Sequence, residues 1–212
     1  KGNCDDAQAA VKRVFNDKET VDALKAKGIA MSSANSINWG RLAPQIAYYI
    51  SAYCDLVDSG EIELGDKINF AVPTGNFGDV LAGYYAYRMG LPVEKFIVAS
   101  NANNALTDFF NDGVYDVNRV FYKTMSPSMD ILVSSNLERL IYEIYDRDDE
   151  KVRELYDSLK KTGRFEIDFD EVNLDNFVAG WADEEDTKNA ISTFFDLDDY
   201  IMDTHTAVAA SV

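Results

Sequence analysis

Apolar positions along this chain follow two rhythms that alternate. Lys67 to Val72 is a short apolar run ended by Pro73 and reads as a buried strand. Asp79 to Met89 has helical spacing, and Gly90-Leu91-Pro92 stops it. Phe96 to Ala99 is the next buried strand, Asn104 to Asn111 the next helix, and Val120-Phe121-Tyr122 a further strand. Upstream, Asp5 or Asp6 caps a helix whose apolar face is Ala7, Ala10, Val11, Val14 and Phe15. Gly28 closes a second, short helix, and Ile29 to Ser33 follows as a small-residue strand. The polar stretch Asn35 to Trp39 opens a long helix carrying Ile46, Tyr49, Ile50 and Tyr53 on one face, and Gly65 marks a turn after it. Strands written as continuous apolar runs between helices belong to a sheet covered on both sides. The fold class is therefore α/β: an open, mostly parallel sheet with helices on both faces. From residue 130 to 203 the helical rhythm dominates and predicts four or five helices added to the sheet. Phe165 to Phe169 is an alternating, extended exception.

Charge and cysteine content narrow the function classes. The formal charge of −17 disfavours nucleic acid and anionic membrane surfaces as partners. Residues 143–203 hold 20 acidic and 7 basic residues, a net of −13, so the acidity is concentrated there. A solvated helical face is the plain reading of that segment, and an acidic docking surface the alternative. Cys4 and Cys54 follow no CxxC or metal-like spacing, and the chain has one histidine, so no metal site is expected. The two cysteines are expected as thiols unbonded to each other in a reducing cytoplasm. No apolar run approaches ~18 residues, so no membrane span is expected. Both ends fall at or inside helical patterns and read as cut points.

The segment Thr74-Gly75-Asn76-Phe77-Gly78-Asp79 carries candidate chemistry. A strand that ends in a glycine turn and opens onto a helix leaves the first helical N–H groups without partners, next to the positive end of the helix dipole. Gly75 and Gly78 let backbone approach an anion closely, and a side chain at Gly78 is expected to fill the anion's space. Asn76 adds a donor. Asp79 repels an anion and reads as a cap or an orienting residue. The spacing is neither GxGxxG nor a Walker A loop, which disfavours nucleotides. GxxG alone is also the spacing of an ordinary packing turn.

Five ordered segments, GNCDDAQ (2–8), NSINWGRLAPQ (35–45), PTGNFGD (73–79), SPSMDILVSSNLERL (126–140) and HTAV (205–208), resemble the threonine synthase family. The resemblance implies pyridoxal-phosphate chemistry of the tryptophan-synthase-β type (fold type II), converting O-phospho-L-homoserine and water to L-threonine and phosphate. It places residues 1–30 at the end of a small domain and 31–212 in most of the large cofactor-binding domain. It assigns Gly75, Asn76, Phe77, Gly78 and Asp79 to the cofactor phosphate, and Asn35, Ser36, Asn38 and Arg41 to the substrate pocket. A surface ion pair is the plainer reading of Arg41. Ser126 and Ser128 match a structural turn, and His205-Thr206 a stretch near the cofactor without an assigned role.

The family's Schiff-base lysine lies in a Phe-Lys-Asp context upstream, and this sequence has no such triplet among its twelve lysines. Lys123 is the one nearest a pocket-like setting. The family's pyridine-nitrogen partner is expected beyond HTAV. No residue here is assigned a catalytic role, and the chain alone is expected to be inactive. Two rival readings remain at this stage: a related phospholyase, or a non-catalytic phosphate-binding module.

Overall fold

A computed structural model of the protein describes residues 10, 11 and 13–212. Ala10, Val11, Val14 and Phe15 are helical as expected, while Asp5, Asp6 and Ala7 lie outside the described residues, as does Cys4. Helix α1 (Lys18–Ala26) ends at Gly28, which takes the positive φ of 73° that a glycine allows. Helix α2 (Trp39–Asp58) is capped by the Asn38 side chain and buries Leu42, Tyr49 and Tyr53, with Ile46 packed beside them. Ile50, expected on that face, is exposed. Cys54 lies exposed on the same helix.

The main sheet is parallel throughout, with Val93–Ser100 in the centre between Ile68–Pro73 and Phe177–Trp181. Strand β1 (Ile68–Pro73) leads through the glycine turn into α3 (Gly78–Arg88), and β2 (Val93–Ser100) into α4 (Ala105–Asp112). Strand β3 (Val114–Asp116) follows, then a 3-10 turn (Pro127–Met129), α5 (Leu137–Ile144) and α6 (Asp149–Thr162). Strand β4 (Arg164–Glu166) pairs antiparallel with β3, and β5 (Phe177–Trp181) joins the main sheet beside β2. Helices α7 (Glu184–Asp198) and α8 (Thr204–Ser211) complete the chain.

The alternation along β2 assigns the layers. Phe96 and Val98 face the large core, where Phe70, Phe110 and Phe177 crowd around Phe96 and Tyr49. Ala99, one residue out of phase, faces a smaller core of Met129, Ala182, Val208 and Ala209. Helices α2, α3 and α4 thus lie over one face and α8 over the other. Pro73 of β1 stands beside Ala99 of β2, so the loops after these strands share one edge of the sheet. In parallel α/β sheets, ligand sites lie outside the carboxyl ends of the strands.

Three expectations need correction. Ile29 to Ser33 is not a strand: Ile29 N–H bonds back to Leu24 O and Ser33 O accepts from the Asn38 amide, so this backbone is used locally. Val120-Phe121-Tyr122 is also not a strand. The Asn103 side chain takes both backbone groups of Tyr122, accepting from its N–H and donating to its C=O at 2.9 Å each, and so replaces a neighbouring strand. The third strand is instead Phe177–Trp181, within the acidic segment. The stretch from 130 to 203 holds α5, α6, a 3-10 turn (Phe169–Glu171) and α7 before α8 begins, so four helical pieces stand where four or five were expected. It is also part of the sheet's own core, since Leu137, Leu140, Ile141, Val152, Leu155 and Leu159 pack into it. Several of its acids are caps: Asp148, Asp168, Asp183 and Asp203 each accept from backbone N–H groups at a helix start.

Candidate functional site

The turn after β1 is shaped from behind. Thr74 N–H bonds to Ala99 O at 2.8 Å, and the Thr74 hydroxyl to Val72 O at 2.7 Å, which fix where the chain leaves the sheet. Gly75 passes so close to the 3-10 turn that a Cβ would stand 2.8 Å from Ser128 O, so this position requires glycine. Phe77 precedes α3 in the left-handed region (φ 60°, ψ 9°). Its ring is fully buried and stacks on Phe110 at 5.7 Å, an anchor that offsets the strain of an aromatic residue there. Gly78, by contrast, has no positive φ. Its missing Cβ faces Asn136 Nδ2 at 3.3 Å, so a side chain there would press on the wall behind the loop.

The loop's carbonyl groups are taken up by one short polar stretch. Ser134 Oγ donates to Gly75 O, while Asn136 donates to Asn76 O through its N–H (3.1 Å) and its Nδ2 (3.0 Å). Asn136 Nδ2 also reaches Ser36 O at 3.1 Å, and its Oδ1 accepts from Arg139 at 2.6 Å. This fully buried asparagine joins the loop to the start of α2. With the carbonyls engaged, the N–H groups are left over. Among the described residues, none accepts from the N–H of Gly75, Asn76, Phe77, Gly78, Asp79 or Val80. Phe77 has no side-chain oxygen to cap α3, so its first turn stays open.

These N–H groups border a cavity of about 320 Å³, a size suited to a small ligand. Its lining includes residues 72–80, Ser36, Arg41, Gln45, Ser128, Met129 and His205. Arg41 is exposed, donates only a long 3.4 Å bond to Ala34 O, and has no carboxylate partner among the described residues. Asp79 sits in the first turn of α3, where desolvation raises its carboxyl above the usual range. Its carbonyl accepts from Tyr49 OH at 2.9 Å, and burial pushes that phenol far above its ordinary value. An open helix start after a glycine turn, and a guanidinium with no carboxylate partner among the described residues, are features that suit an anion.

The cavity gathers all five candidates from 75 to 79, together with Ser36 and Arg41. Asn38 lies away from it as the cap of α2, accepting from Gly40 N–H at 2.8 Å, and Asn35 borders a separate groove with Phe15 and Ile37. No lysine lines the cavity among the described residues, Lys123 included. Ser134, Ser135 and Asn136 had no assigned role in the sequence; their signal was three consecutive polar residues just before an apolar helix. Thr74 and Gln45 lay inside segments already singled out, at 74–79 and 35–45, without a role of their own.

No protein-family profile matches the chain. Threonine synthase-like 1 of Homo sapiens is 46% identical over 212 residues, covering 98% of this chain and 28% of that protein. Threonine synthase of Methylobacillus glycogenes is 39% identical over 213 residues, 98% of this chain and 43% of its own length. The crystal structure of PLP-bound threonine synthase from Brucella melitensis superposes with a TM-score of 0.89 at 42% identity, over 100% of this chain and 44% of that one. The chain belongs to the threonine synthase family. It spans less than half the length of these relatives, and across that span it shares the fold of the Brucella melitensis protein. No helix among the described residues is long and apolar enough to cross a membrane.

Proposed function

We propose that this chain is the phosphate-binding part of a threonine synthase, which converts O-phospho-L-homoserine and water to L-threonine and phosphate with pyridoxal 5'-phosphate. The observation that carries the reading is the row of N–H groups from Gly75 to Val80, left without acceptors among the described residues and bordering one polar cavity. A dianionic phosphate satisfies such a row, and the residues present fit the group. When bound, the cofactor supplies an electron sink for carbanions beside the substrate's amino group. Residues 75–80 hold its phosphate. Arg41 and Ser36, in the lining of the same cavity, bind the substrate's own phosphate, with the guanidinium donating in a bidentate fork. Asp79, fixed through its carbonyl by Tyr49, orients the ligand from the side of α3. Residues 31–212 correspond to most of the large domain in this reading, and residues 1–30 to the end of the small one.

The family's proton carrier is its Schiff-base lysine, and no lysine lines this cavity among the described residues, so the isolated chain should release no phosphate and form no threonine. Two assays check this: the chain alone, and the protein that carries it in its full reading frame, each with O-phospho-L-homoserine and cofactor. Threonine formed by the chain alone, or no turnover by the full protein, defeats the reading.

A further inference from the structure

His205 is the one histidine of the sequence and lines the same cavity as the 75–80 loop. Its ring is held at both nitrogens. Nδ1 lies 3.0 Å from Asp203 Oδ1, and Nε2 accepts from Ser128 N–H at 3.3 Å. Asp203 is itself fixed as the cap of α8 by the N–H groups of His205 and Thr206 and by the Thr206 hydroxyl. The Asp203 bond is short enough to orient the ring. The Ser128 bond is long for N–H···N and easily given up. Ser128 is also the residue whose carbonyl touches Gly75, so the Nε2 edge adjoins the loop.

We propose that His205 is a ligand of the anion in this cavity. On taking one proton from solvent, Nε2 changes from acceptor to donor, and its N–H and the released Ser128 N–H both turn to the same anion oxygen. Binding is therefore coupled to proton uptake. The inference rests on the reading of residues 75–80 as a phosphate site. Among the described residues, the charged groups that share the ring's surroundings are Asp203 on its own helix and Arg41 and Asp79 in the lining of the same cavity.

Sulfate is a suitable probe because it stays a dianion across the titration range of histidine. A single histidine gives one ring Cε1–H signal in proton NMR, so its titration midpoint is read directly in the whole chain with and without sulfate. The expected result is an upward move of about one pH unit, equivalent to sulfate binding the protonated form about tenfold more tightly. Calorimetry run in parallel reports whether sulfate binds, and His205→Gln should bind it with affinity independent of pH once Asp79→Asn is also present. Sulfate binding with an unmoved histidine midpoint overturns the role of His205 and leaves the loop reading intact. No sulfate binding by the folded chain at any pH overturns both.

Discussion

Gly75 and Gly78 look equivalent in the sequence and are not equivalent in the fold. Both were read as leaving room for an anion, yet their absent Cβ atoms face the protein. At Gly75 the obstacle is the backbone oxygen of Ser128, 2.8 Å away; at Gly78 it is the amide of Asn136, at 3.3 Å. Backbone cannot step aside as an amide can. Gly75→Ala should therefore displace the loop, with an overpacking cost of about 1–3 kcal/mol, and weaken sulfate or phosphate binding about tenfold or more. Gly78→Ala should change it only a few-fold. Calorimetric titration of both variants, with thermal melting to confirm folding, checks the order; a larger loss at Gly78 would show that the Asn136 bracket matters more than the 3-10 turn. The glycines and the helix after them were legible from residue type. The left-handed residue was not, because it is Phe77, whose conformation is set by a ring packed on Phe110 far along the chain.

Elements were legible where one period ruled and illegible where tertiary contacts replaced a ladder. Strands β1 and β2 and helices α2, α3 and α4 follow their apolar runs. Strand β5 hid within an acidic, helix-rich stretch because it has only Phe177 buried and small residues Ala179 and Gly180 beside it. Val120 to Tyr122 has strand-forming residues, but the Asn103 side chain satisfies its backbone. The packing of α3 is set by another small residue. A Cβ at Gly83 would stand 2.6 Å from Tyr49 Cε1 and 2.7 Å from Phe96 Cε1, so glycine lets α3 approach α2 and β2. Alanine gains about 1 kcal/mol of helix propensity at this position, while forcing two buried rings to move costs about 1–3 kcal/mol. Gly83→Ala should thus lower the urea midpoint, whereas an exposed helical glycine replaced in the same way raises it. An unchanged or higher midpoint would mean that the two rings have room to turn.

At the scale of the whole molecule, the parallel sheet and the family were legible from ordered segments spread along the chain, while the sharing of one core by sheet and acidic helices was not. That common core is rich in tyrosine, and burial there sets the protein's response to alkali. Desolvation raises the Tyr115 phenol to about 12 and pushes Tyr156 further in the same direction. A phenol whose folded value is raised holds its proton more tightly in the folded state than in the unfolded one. Stability is then unaffected below about pH 10 and falls as pH rises above the unfolded value. Tyr115 bonds to Leu132 O and Ser134 N–H, so its removal would cost structure as well. The Tyr156 hydroxyl is buried and has no hydrogen-bond partner among the described residues, which isolates the effect. Tyr156→Phe removes an unpaired polar atom and keeps the ring that packs on Phe165 at 5.7 Å. At pH 7 it should raise stability by about 1 kcal/mol, and between pH 10 and 12 the decline should become shallower than in the wild type. Urea unfolding at pH 7, 10 and 11, followed by circular dichroism and by phenolate absorbance, measures both effects. A Tyr156→Phe protein that is less stable at pH 7 would show that the hydroxyl has a partner, and an unaltered alkaline slope would place the responsible phenols elsewhere in the core.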